Sequence, residues 1–203
     1  MGADSFVRTR GCPICGRKMW YFSDNKTFCM VCEHCAQEWQ FVSESRTLFS
    51  ITADRTYSID ECPIVSFRES YSFLSNFHPC EIRYDGMTFF SSEAAFQAQK
   101  CRNPADRVNF SSLSATQAKV LGKRIDKRAD WFEVSIPIMD EIIRIKFSEP
   151  TLKFMLKSTG TCPIIEANTW GDKFWGIDEK TRIGENHLGK ILMQVRSEIT
   201  EEF

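Results

Sequence analysis

Apolar and polar positions follow two different periods along the chain. Between residues 19 and 51, short apolar runs such as MWYF, WQFV and TLFSI are typical of strands. Farther along, CEIRYDGMTFF places Asp85-Gly86 between two alternating runs, which is the strongest short-range indication of a β-hairpin. The pattern predicts several short strands before residue 56 and one hairpin after it.

Helical spacing replaces alternation after the hairpin. Ser91 or Ser92 can cap a helix over SSEAAFQAQKC, with Glu93 in the first turn, where the helix dipole favours a carboxylate. A later helix, IMDEIIRIKF, is expected to start at Pro137, because proline suits the first turn of a helix. The other predicted helices cover SATQAKVLGKRI, TLKFMLKS and HLGKILMQVRSEI. Most of residues 63–203 is therefore expected to be helical.

Five of the nine cysteines fall between residues 12 and 35. Cys12 and Cys15 form one CxxC pair, Cys32 and Cys35 form another, and sixteen residues separate the pairs. Two such pairs can point four thiolates at one ion, so the spacing predicts a structural zinc site. Cys29 is an alternative ligand, because Cys29 and Cys32 also form a CxxC pair. The turn formed by a zinc-binding CxxC pair, called a zinc knuckle, usually runs into a strand. The strand-like AQEW follows Cys35, which favours Cys32 and Cys35 as the ligands. A redox role is the alternative, although nothing around the pairs resembles a thioredoxin βαβ unit.

These patterns divide the chain into three parts. We expect a zinc ribbon over residues 1–55, a polar linker over 56–62 and a second domain over 63–203. The expected fold class is mainly α, with a short β-hairpin, plus a small β zinc ribbon. A ribbon of this size buries little core, so its bound zinc would supply most of its folding free energy.

Composition sets limits on partners and location. The 203 residues carry a formal net charge of -1, which predicts no general attraction to nucleic acid or to a membrane. Lys and Arg number 7 and Asp and Glu number 6 through Thr56, so charge favours neither nucleic acid nor protein as the ribbon's partner. The first residues, MGADSFVRTRG, lack the apolar core of a signal peptide, and the apolar runs are too short to span a bilayer. A cytoplasmic location without membrane contact is the expectation.

One helix face collects reactive side chains. At about 100° per residue, Glu93, Gln97 and Lys100 fall within about 60° of one another, with Phe96 alongside. On an ordinary surface helix this face would be solvated. Here the remaining positions are mostly alanines, which pack closely on neighbours and would leave the polar face enclosed. An enclosed lysine beside a carboxylate can have a shifted pKa, as an amine nucleophile or a proton carrier requires.

The segment ANTWGDKFWG crowds rings, glycines and charges into ten residues. Trp170, Phe174 and Trp175 are too many aromatic residues for a glycine-rich loop unless they pack or stack on something. Asp172 either caps a turn in a buried aromatic corner or lies desolvated between rings, where a carboxylate becomes reactive. Downstream, GENHLG starts the last helix, whose free backbone N–H groups suit a phosphate.

Six ordered segments resemble the NADAR family, also called YbiA-like. They are YSFLSNFHPCEIRYDG, FSSEAAFQAQKC, GKRIDKRADWF, IIRIKF, LKSTGTCPIIEANTWGDKFWGI and IGENHLGKILMQVR. The match runs from about Tyr71 to Arg196 and leaves the ribbon outside. It implies a mainly α fold and hydrolysis of an N-glycosidic bond between a base or amine and a ribose 5-phosphate group.

The resemblance implies two enzymatic alternatives and leaves a third reading open. One substrate is ADP-ribose attached to guanine in DNA or RNA, for which the ribbon would be a docking module. The other is a phosphoribosylated pyrimidine intermediate of early riboflavin synthesis. A non-catalytic module that binds ADP-ribose is the third reading, and retention of Glu93, Lys100 and Asp172 argues against it.

The resemblance also implies roles for single residues. Glu93 and Asp172 would stabilise positive charge on the ribose or orient water, and Lys100 would act as electrostatic partner or attack the anomeric carbon. Trp170 and Trp175 would stack on bases. The full set of expected substrate-binding residues is Ser75, Asn76, Phe77, Phe96, Gln97, Trp170, Gly171, Phe174, Trp175, Gly176, Gly184, Asn186, Leu188 and Gly189.

One position departs from the family pattern. His187 stands where an arginine is common, which removes a cationic contact to phosphate from the turn at the start of the last helix. Lys123, Arg124 and Arg128 are the alternative phosphate partners.

Overall fold

The computed structural model describes residues 7–24, 27–51 and 54–199; the first six residues, part of the segment used to judge the absence of a leader, lie outside it. Contacts divide the chain into two compact units. The ribbon unit comprises Met1–Ser72 and Ser158–Met193, and the helical unit comprises Phe73–Lys157 and Gln194–Phe203. The domain boundaries expected from the sequence remain a prediction.

A five-stranded antiparallel sheet forms most of the first part of the ribbon unit. Its strands follow the chain in order and are β1 (Trp20–Asp24), β2 (Thr27–Cys32), β3 (Gln37–Val42), β4 (Thr47–Ser50) and β5 (Thr56–Ser58). Met30 pairs with Trp39 across β2 and β3, and both are buried together with Leu48. Tyr57 of β5 packs edge-to-face on Trp39, with ring centroids 5.4 Å apart. One face of the sheet therefore supplies the core of the ribbon.

The ribbon unit also contains a segment from the far end of the sequence. Ile64 forms an antiparallel bridge with Arg10 and a parallel bridge with Ile164. The buried Arg10 donates to the carbonyl of Cys62 at 2.8 Å and to Cys162 Sγ at 2.7 Å. Two short parallel strands, β8 (Ala167–Asn168) and β9 (Ile177–Asp178), follow Ile164. The ribbon and the ANTWGDKFWG segment therefore pack into one unit.

The helical unit is built around one short buried helix. Its elements are β6 (Ile82–Tyr84), β7 (Met87–Phe89), α1 (Ser92–Ala98), α2 (Ala115–Gly122), α3 (Trp131–Lys146) and α4 (Pro150–Lys157). The last helix, α5 (His187–Glu198), belongs to the ribbon unit through Met193 and to the helical unit from Gln194. Short 3-10 helices cover Ile59–Glu61 in the ribbon unit, Glu69–Leu74, where the chain passes from one unit to the other, and Pro104–Phe110 in the helical unit. Helix α1 packs against α2, α3, the hairpin of β6 and β7, and the 3-10 helix Pro104–Phe110.

Local sequence explains where these elements begin. Asp85 and Gly86 have φ of 52° and 73°, as a tight hairpin turn between β6 and β7 requires. Ser91 caps α1, because its hydroxyl accepts the N–H of Ala94 at 3.1 Å. Ser114 and Gln117 form a reciprocal capping box at the start of α2.

Helix α3 starts earlier than the sequence predicts. It begins at Trp131, so Pro137 lies inside the helix rather than in its first turn. Ser135, Ile138 and Ile142 are all buried, so the helical stripe continues across the proline. The prediction that this helix starts at Pro137 was wrong. It treated the proline as a helix boundary, whereas packing on both sides of Pro137 maintains the helix.

The mainly α fold class is also wrong. The chain is a mixed α/β protein, because a five-stranded sheet and two further strand pairs accompany the helices. The residues Thr56–Ser58, expected to lie in a linker, pair with β4 and extend the sheet. This segment has few apolar residues, so the sequence alone did not indicate that Tyr57 packs on Trp39. Within the described ranges, no helix is long and apolar enough to cross a membrane.

Candidate functional site

Four cysteine thiols meet at the two turns of the ribbon. The Sγ atoms of Cys12, Cys15, Cys32 and Cys35 all lie within 4.8 Å of one another, and those of Cys15 and Cys32 are 3.6 Å apart. Sulfurs that bind one zinc ion tetrahedrally at about 2.3 Å lie about 3.8 Å apart, so this spacing fits a four-thiolate metal site. The predicted cluster is confirmed as a group able to bind a metal.

The backbone around the cluster explains why Cys29 is outside it. Gly16 and Ala36, which follow the second cysteine of each pair, have φ of 67° and 50°. This left-handed conformation turns the chain sharply after each pair. Cys29 instead lies within β2, opposite Phe22 of β1 and Gln40 of β3.

Helix α1 holds three of the predicted site residues, Glu93, Phe96 and Gln97, in the interior of the protein. Every residue from Ser91 to Gln99 is buried, and the side chain of Glu93 accepts a hydrogen bond from Gln97 Nε2 at 2.8 Å. A solvated surface face is therefore excluded for Glu93 and Gln97. A carboxylate held in this way has a fixed position and little water around it, as a group that stabilises developing positive charge needs.

Lys100 lies just beyond the end of α1, against two aromatic rings. Its Nζ lies 5.5 Å from the centroids of both Phe96 and Trp131, whose rings are 4.9 Å apart. Burial, which is the largest cause, and three nearby lysines together lower the pKa of Lys100 from 10.5 to about 8, while Glu93 opposes the shift. A substantial fraction of the amine is therefore neutral near pH 8, so the side chain can act as a nucleophile or exchange a proton.

The segment Ser75–Phe77 is anchored to α1 and α3 within the helical unit. The backbone N–H of Glu93 donates to the carbonyl of Asn76 at 2.9 Å, and the buried Lys146 donates to the carbonyl of Ser75 at 2.7 Å. Asn76 is buried, and its Nδ2 contacts Met139 Sδ at 3.4 Å. Phe77 is partly exposed and lies 5.2 Å from Lys119 Nζ. The first two residues therefore hold the start of α1, and the third presents a ring to solvent.

The ANTWGDKFWG segment comprises β8 and the loop that joins it to the parallel strand β9. Asp172 is half-buried, and its Oδ1 accepts the backbone N–H of Phe174 at 3.1 Å and of Trp175 at 2.9 Å. The buried Asn168 accepts the N–H of Asp172 and donates to the carbonyls of Asp172 and Ile177. Asp172 therefore has the geometry of a turn cap, which was one of the two alternatives for this residue.

The rings of this loop form a small cluster with one exposed member. Phe174 and Trp175 stand edge-to-face with centroids 5.0 Å apart, and His187 lies 4.5 Å from Phe174. Trp170 is 62% exposed, which leaves its ring available for stacking. Gly171 has φ of 83°, and Gly176 leaves no room for a side chain, because a Cβ there would lie 2.2 Å from the Glu166 carbonyl oxygen.

The turn before α5 is dominated by contacts within the ribbon unit. Asn186 Oδ1 accepts the N–H of Glu166 and Asn186 Nδ2 donates to the carbonyl of Ile164, both at 3.0 Å. A Cβ on Gly189 would lie 2.3 Å from the Ile164 oxygen, and one on Gly184 would lie 2.4 Å from the Gly176 oxygen. Leu188 is buried. These residues place the segments Ile164–Glu166 and β9 against the start of α5.

The structure thus brings the predicted residues together in separate groups. The helical unit holds Ser75–Phe77 with Glu93, Phe96, Gln97 and Lys100, and the ribbon unit holds the cysteines, the loop and the turn before α5. Sequence reasoning missed Asn168, whose side chain binds backbone groups of the loop itself, and Trp131 and Lys146, which act through contacts distant in sequence. An asparagine two residues before the Trp-Gly step was the one available signal for Asn168.

A cavity of about 570 Å³ opens elsewhere in the helical unit. It lies between the 3-10 helix Pro104–Phe110 and the end of α2, and Cys101, Phe110 and Leu121 are among its lining residues. None of the predicted site residues lines it. The region around Glu93 and Lys100 is therefore a stronger candidate site than this cavity, because it contains the predicted reactive side chains.

Known proteins resemble the chain over most of its length. Residues 65–200 match the NADAR domain model. N-glycosidase YbiA of Escherichia coli is 30% identical over 161 residues, which cover 75% of this chain and 98% of that protein. The solution NMR structure of E. coli YbiA has a TM-score of 0.58 and 31% identity, and the match covers 65% of this chain and 80% of that one.

A second group of relatives is longer. A riboflavin biosynthesis protein of Vibrio vulnificus is 36% identical over 160 residues, which are 75% of this chain but 43% of that protein. The chain therefore spans less than half the length of this relative.

Proposed function

Because the chain belongs to the NADAR domain family, we propose that it hydrolyses an N-glycosidic bond and that its substrate is ADP-ribose attached to guanine in nucleic acid. The observation that carries the proposal is the arrangement on and beside α1. It combines a buried carboxylate, Glu93, fixed by Gln97, with a partly buried amine, Lys100, whose pKa lies near 8. The name of the E. coli relative, an N-glycosidase, supports the reaction class.

The reaction needs charge stabilisation at two places. As the bond between the guanine nitrogen and the anomeric carbon of the distal ribose of ADP-ribose breaks, its electron pair leaves with the nitrogen and positive charge develops on that ribose ring. We assign stabilisation of that charge, or orientation of the attacking water, to Glu93. The water oxygen bonds to the anomeric carbon and loses a proton, and the departing nitrogen gains one.

Two roles for Lys100 remain, and chemistry can separate them. As an ammonium, Lys100 supplies a proton or a positive charge to the leaving base. As a neutral amine, it attacks the anomeric carbon of the distal ribose, expels the base and forms an imine with the opened ribose, which water then hydrolyses. Borohydride reduces an imine irreversibly, so covalent labelling of Lys100 during turnover supports the second role.

The ribbon and its loop are assigned supporting roles. We assign zinc to the four cysteines, since four thiolates in a tetrahedron suit that ion, and its contribution would be to hold the ribbon folded. Trp170 and Trp175 are assigned to stacking on a base. A guanine in a duplex can stack on them only after it has left the stack of neighbouring bases in the double helix. The ribbon would then dock the nucleic acid.

The test compares two substrates and two variants. Purified protein is incubated with a single-stranded oligonucleotide that carries ADP-ribosyl guanine and, separately, with the phosphoribosylated pyrimidine of riboflavin synthesis. We expect release of ADP-ribose from the oligonucleotide and a loss of at least about 100-fold in Glu93→Gln, which keeps an acceptor for Gln97. Phe132→Ala, at a side chain that is 81% exposed, is the control and should retain activity.

Other outcomes identify the alternatives. Turnover of the pyrimidine alone would favour the riboflavin intermediate, which the name of the V. vulnificus relative suggests. Tight binding of ADP-ribose without turnover of either substrate would favour a binding module. Full activity in Glu93→Gln would exclude the mechanism.

A further inference from the structure

The segment that runs from α2 to the start of α3 carries an excess of positive charge that no acidic side chain of the described residues offsets. Residues 119–128 contain five basic residues and one acidic residue. That acid, Asp126, pairs with Arg102 at 3.2 Å, and the following Asp130 pairs with Arg128 at 2.6 Å. Both nearby carboxylates are therefore used by arginines.

Three lysines of this segment are left without a carboxylate. Among the residues that the structure describes, Lys119, Lys123 and Lys127 have no ion pair. All three act electrostatically on Lys100, where each lowers the pKa. Three solvated lysines on one surface are common, but three that converge on a fourth, partly buried lysine raise the free energy of the ligand-free protein.

Backbone geometry places all three lysines beside the candidate site. Lys127 forms an antiparallel bridge with Cys101, the residue after Lys100, and Lys123 caps the C-terminal end of α2, which carries Lys119. Lys119 Nζ lies over the ring of Phe77, and Lys100 Nζ lies over the rings of Phe96 and Trp131. Helix α2, which carries Lys119, packs directly on α1, which carries Glu93. The lysines therefore border the region in which the reacting bond would lie.

We propose that Lys119, Lys123 and Lys127 form a binding site for a diphosphate group next to Lys100, a proposal that rests on the proposed function for its substrate. An anion with two or more charges neutralises several lysines at once, which a monovalent ligand does not. Lysine suits phosphate binding because its ammonium group is a mobile point charge. Unlike arginine, it does not require a ligand with planar, bidentate geometry. The site would hold the diphosphate of ADP-ribose.

Occupancy of the site has a consequence for Lys100. The charged groups that face its amine are Glu93 and the three lysines. A bound anion offsets the three lysines, so it should raise the pKa of Lys100 toward its ordinary value. Phosphate binding would then favour the ammonium form of Lys100 at the moment of substrate binding.

The direct test measures binding of inorganic pyrophosphate to the full-length, metal-loaded protein by calorimetry. We expect Lys119→Gln, Lys123→Gln and Lys127→Gln each to weaken binding roughly 3- to 10-fold and the triple variant to abolish it. Lys157→Gln, an exposed lysine of α4 that donates to a backbone carbonyl, makes the same charge change elsewhere in the helical unit and should bind within about twofold of the wild type.

A second measurement follows the titration of Lys100 by NMR after reductive methylation with ¹³C-formaldehyde. Pyrophosphate should raise the pKa of Lys100 in the wild type and leave it unchanged in the triple variant. Unaltered pyrophosphate binding in the triple variant, or equal weakening in Lys157→Gln, would overturn the diphosphate site while leaving the glycosidase proposal intact. Lysine-dependent pyrophosphate binding in a protein that cleaves neither substrate would instead sink the proposed function alone.

Discussion

Gly122 makes the packing of α2 on α1 possible, and adding a single methyl group there tests the geometry of the candidate site. A Cβ at Gly122 would lie 1.9 Å from Gln97 Oε1 and 2.8 Å from its Cδ. Ordinary contact begins near 3.4 Å, so the buried amide must move by about 1.5 Å. Because Gln97 donates the hydrogen bond that fixes Glu93, the movement should also release the carboxylate.

The expected magnitude follows from opposing terms. Overpacking a buried site costs about 1–3 kcal/mol. Loss of a hydrogen bond to a charged group costs about 1.5–3 kcal/mol, and alanine gains up to about 1 kcal/mol over glycine in helix propensity. Gly122→Ala should therefore lower the free energy of unfolding by about 2–4 kcal/mol and lower activity by at least about 10-fold.

A double-mutant cycle in urea gives the decisive measurement. In a Gln97→Ala background the clashing amide is absent, and the nearest Gln97 atom is its Cβ, 3.2 Å from the new methyl group. There, Gly122→Ala should be neutral or slightly stabilising. Equal destabilisation of both backgrounds by Gly122→Ala would refute a clash with Gln97, since the cost would then come from another contact.

Three further predictions concern the turn cap, the metal and a buried cation. Asp172→Asn keeps an acceptor for the two backbone N–H groups, so this variant should be as stable as the wild type and retain at least about a tenth of the activity. Asp172→Ala should lower the free energy of unfolding, measured thermally or in urea, by about 1 kcal/mol. A 100-fold loss of activity in a stable Asp172→Asn variant would assign a catalytic charge to this residue. Cys32→Ser should abolish zinc binding, measured by elemental analysis. It should also speed hydrogen exchange around Arg182, which lies against Gly16 in the ribbon unit. Equal loss of zinc in Cys29→Ser would contradict the ligand assignment. Burial lowers the pKa of Lys146 to about 8, below its value of about 10.4 in an unfolded chain. Between these two pH values the unfolded state binds more protons than the folded state, so a rise in pH favours folding. The free energy of unfolding of the wild type, relative to that of Lys146→Met, should therefore rise by up to about 3 kcal/mol from pH 8 to pH 10.5. A flat difference across this range in urea unfolding would show that Lys146 is solvated.

Sequence patterns predicted the features that depend on neighbours in the chain. The hairpin at Asp85-Gly86 and the cap at Ser91 follow from local backbone chemistry, and the enclosed face of α1 follows from its alanines. Cysteine spacing likewise indicated the four-thiol cluster, because each pair forms within one turn.

Features that depend on distant contacts were not predictable in this way. Strand β5 forms because Tyr57 packs on Trp39, and α3 continues through Pro137 because the helix is buried at Ser135 before the proline and at Ile138 after it. Asn168 and Asn186 look like ordinary polar loop residues in the sequence, yet Asn168 binds a backbone group nine residues away and Asn186 binds one 22 residues away. A single sequence contains no direct record of such pairings.

The two candidate carboxylates were equivalent in the sequence, and their surroundings now separate them. Asp172 is half-buried and uses Oδ1 on two backbone N–H groups two and three residues ahead, which is sufficient to explain an aspartate there. Glu93 is 5% exposed in the middle of packed helices, where an ionised carboxylate costs free energy even though Gln97 donates a hydrogen bond to it and Lys100 attracts it. A buried carboxylate that an alanine or leucine could replace with a gain in stability implies a requirement other than folding. Between the two, Glu93 is therefore the residue to which we assign the chemistry, and Asp172 the one that shapes the loop.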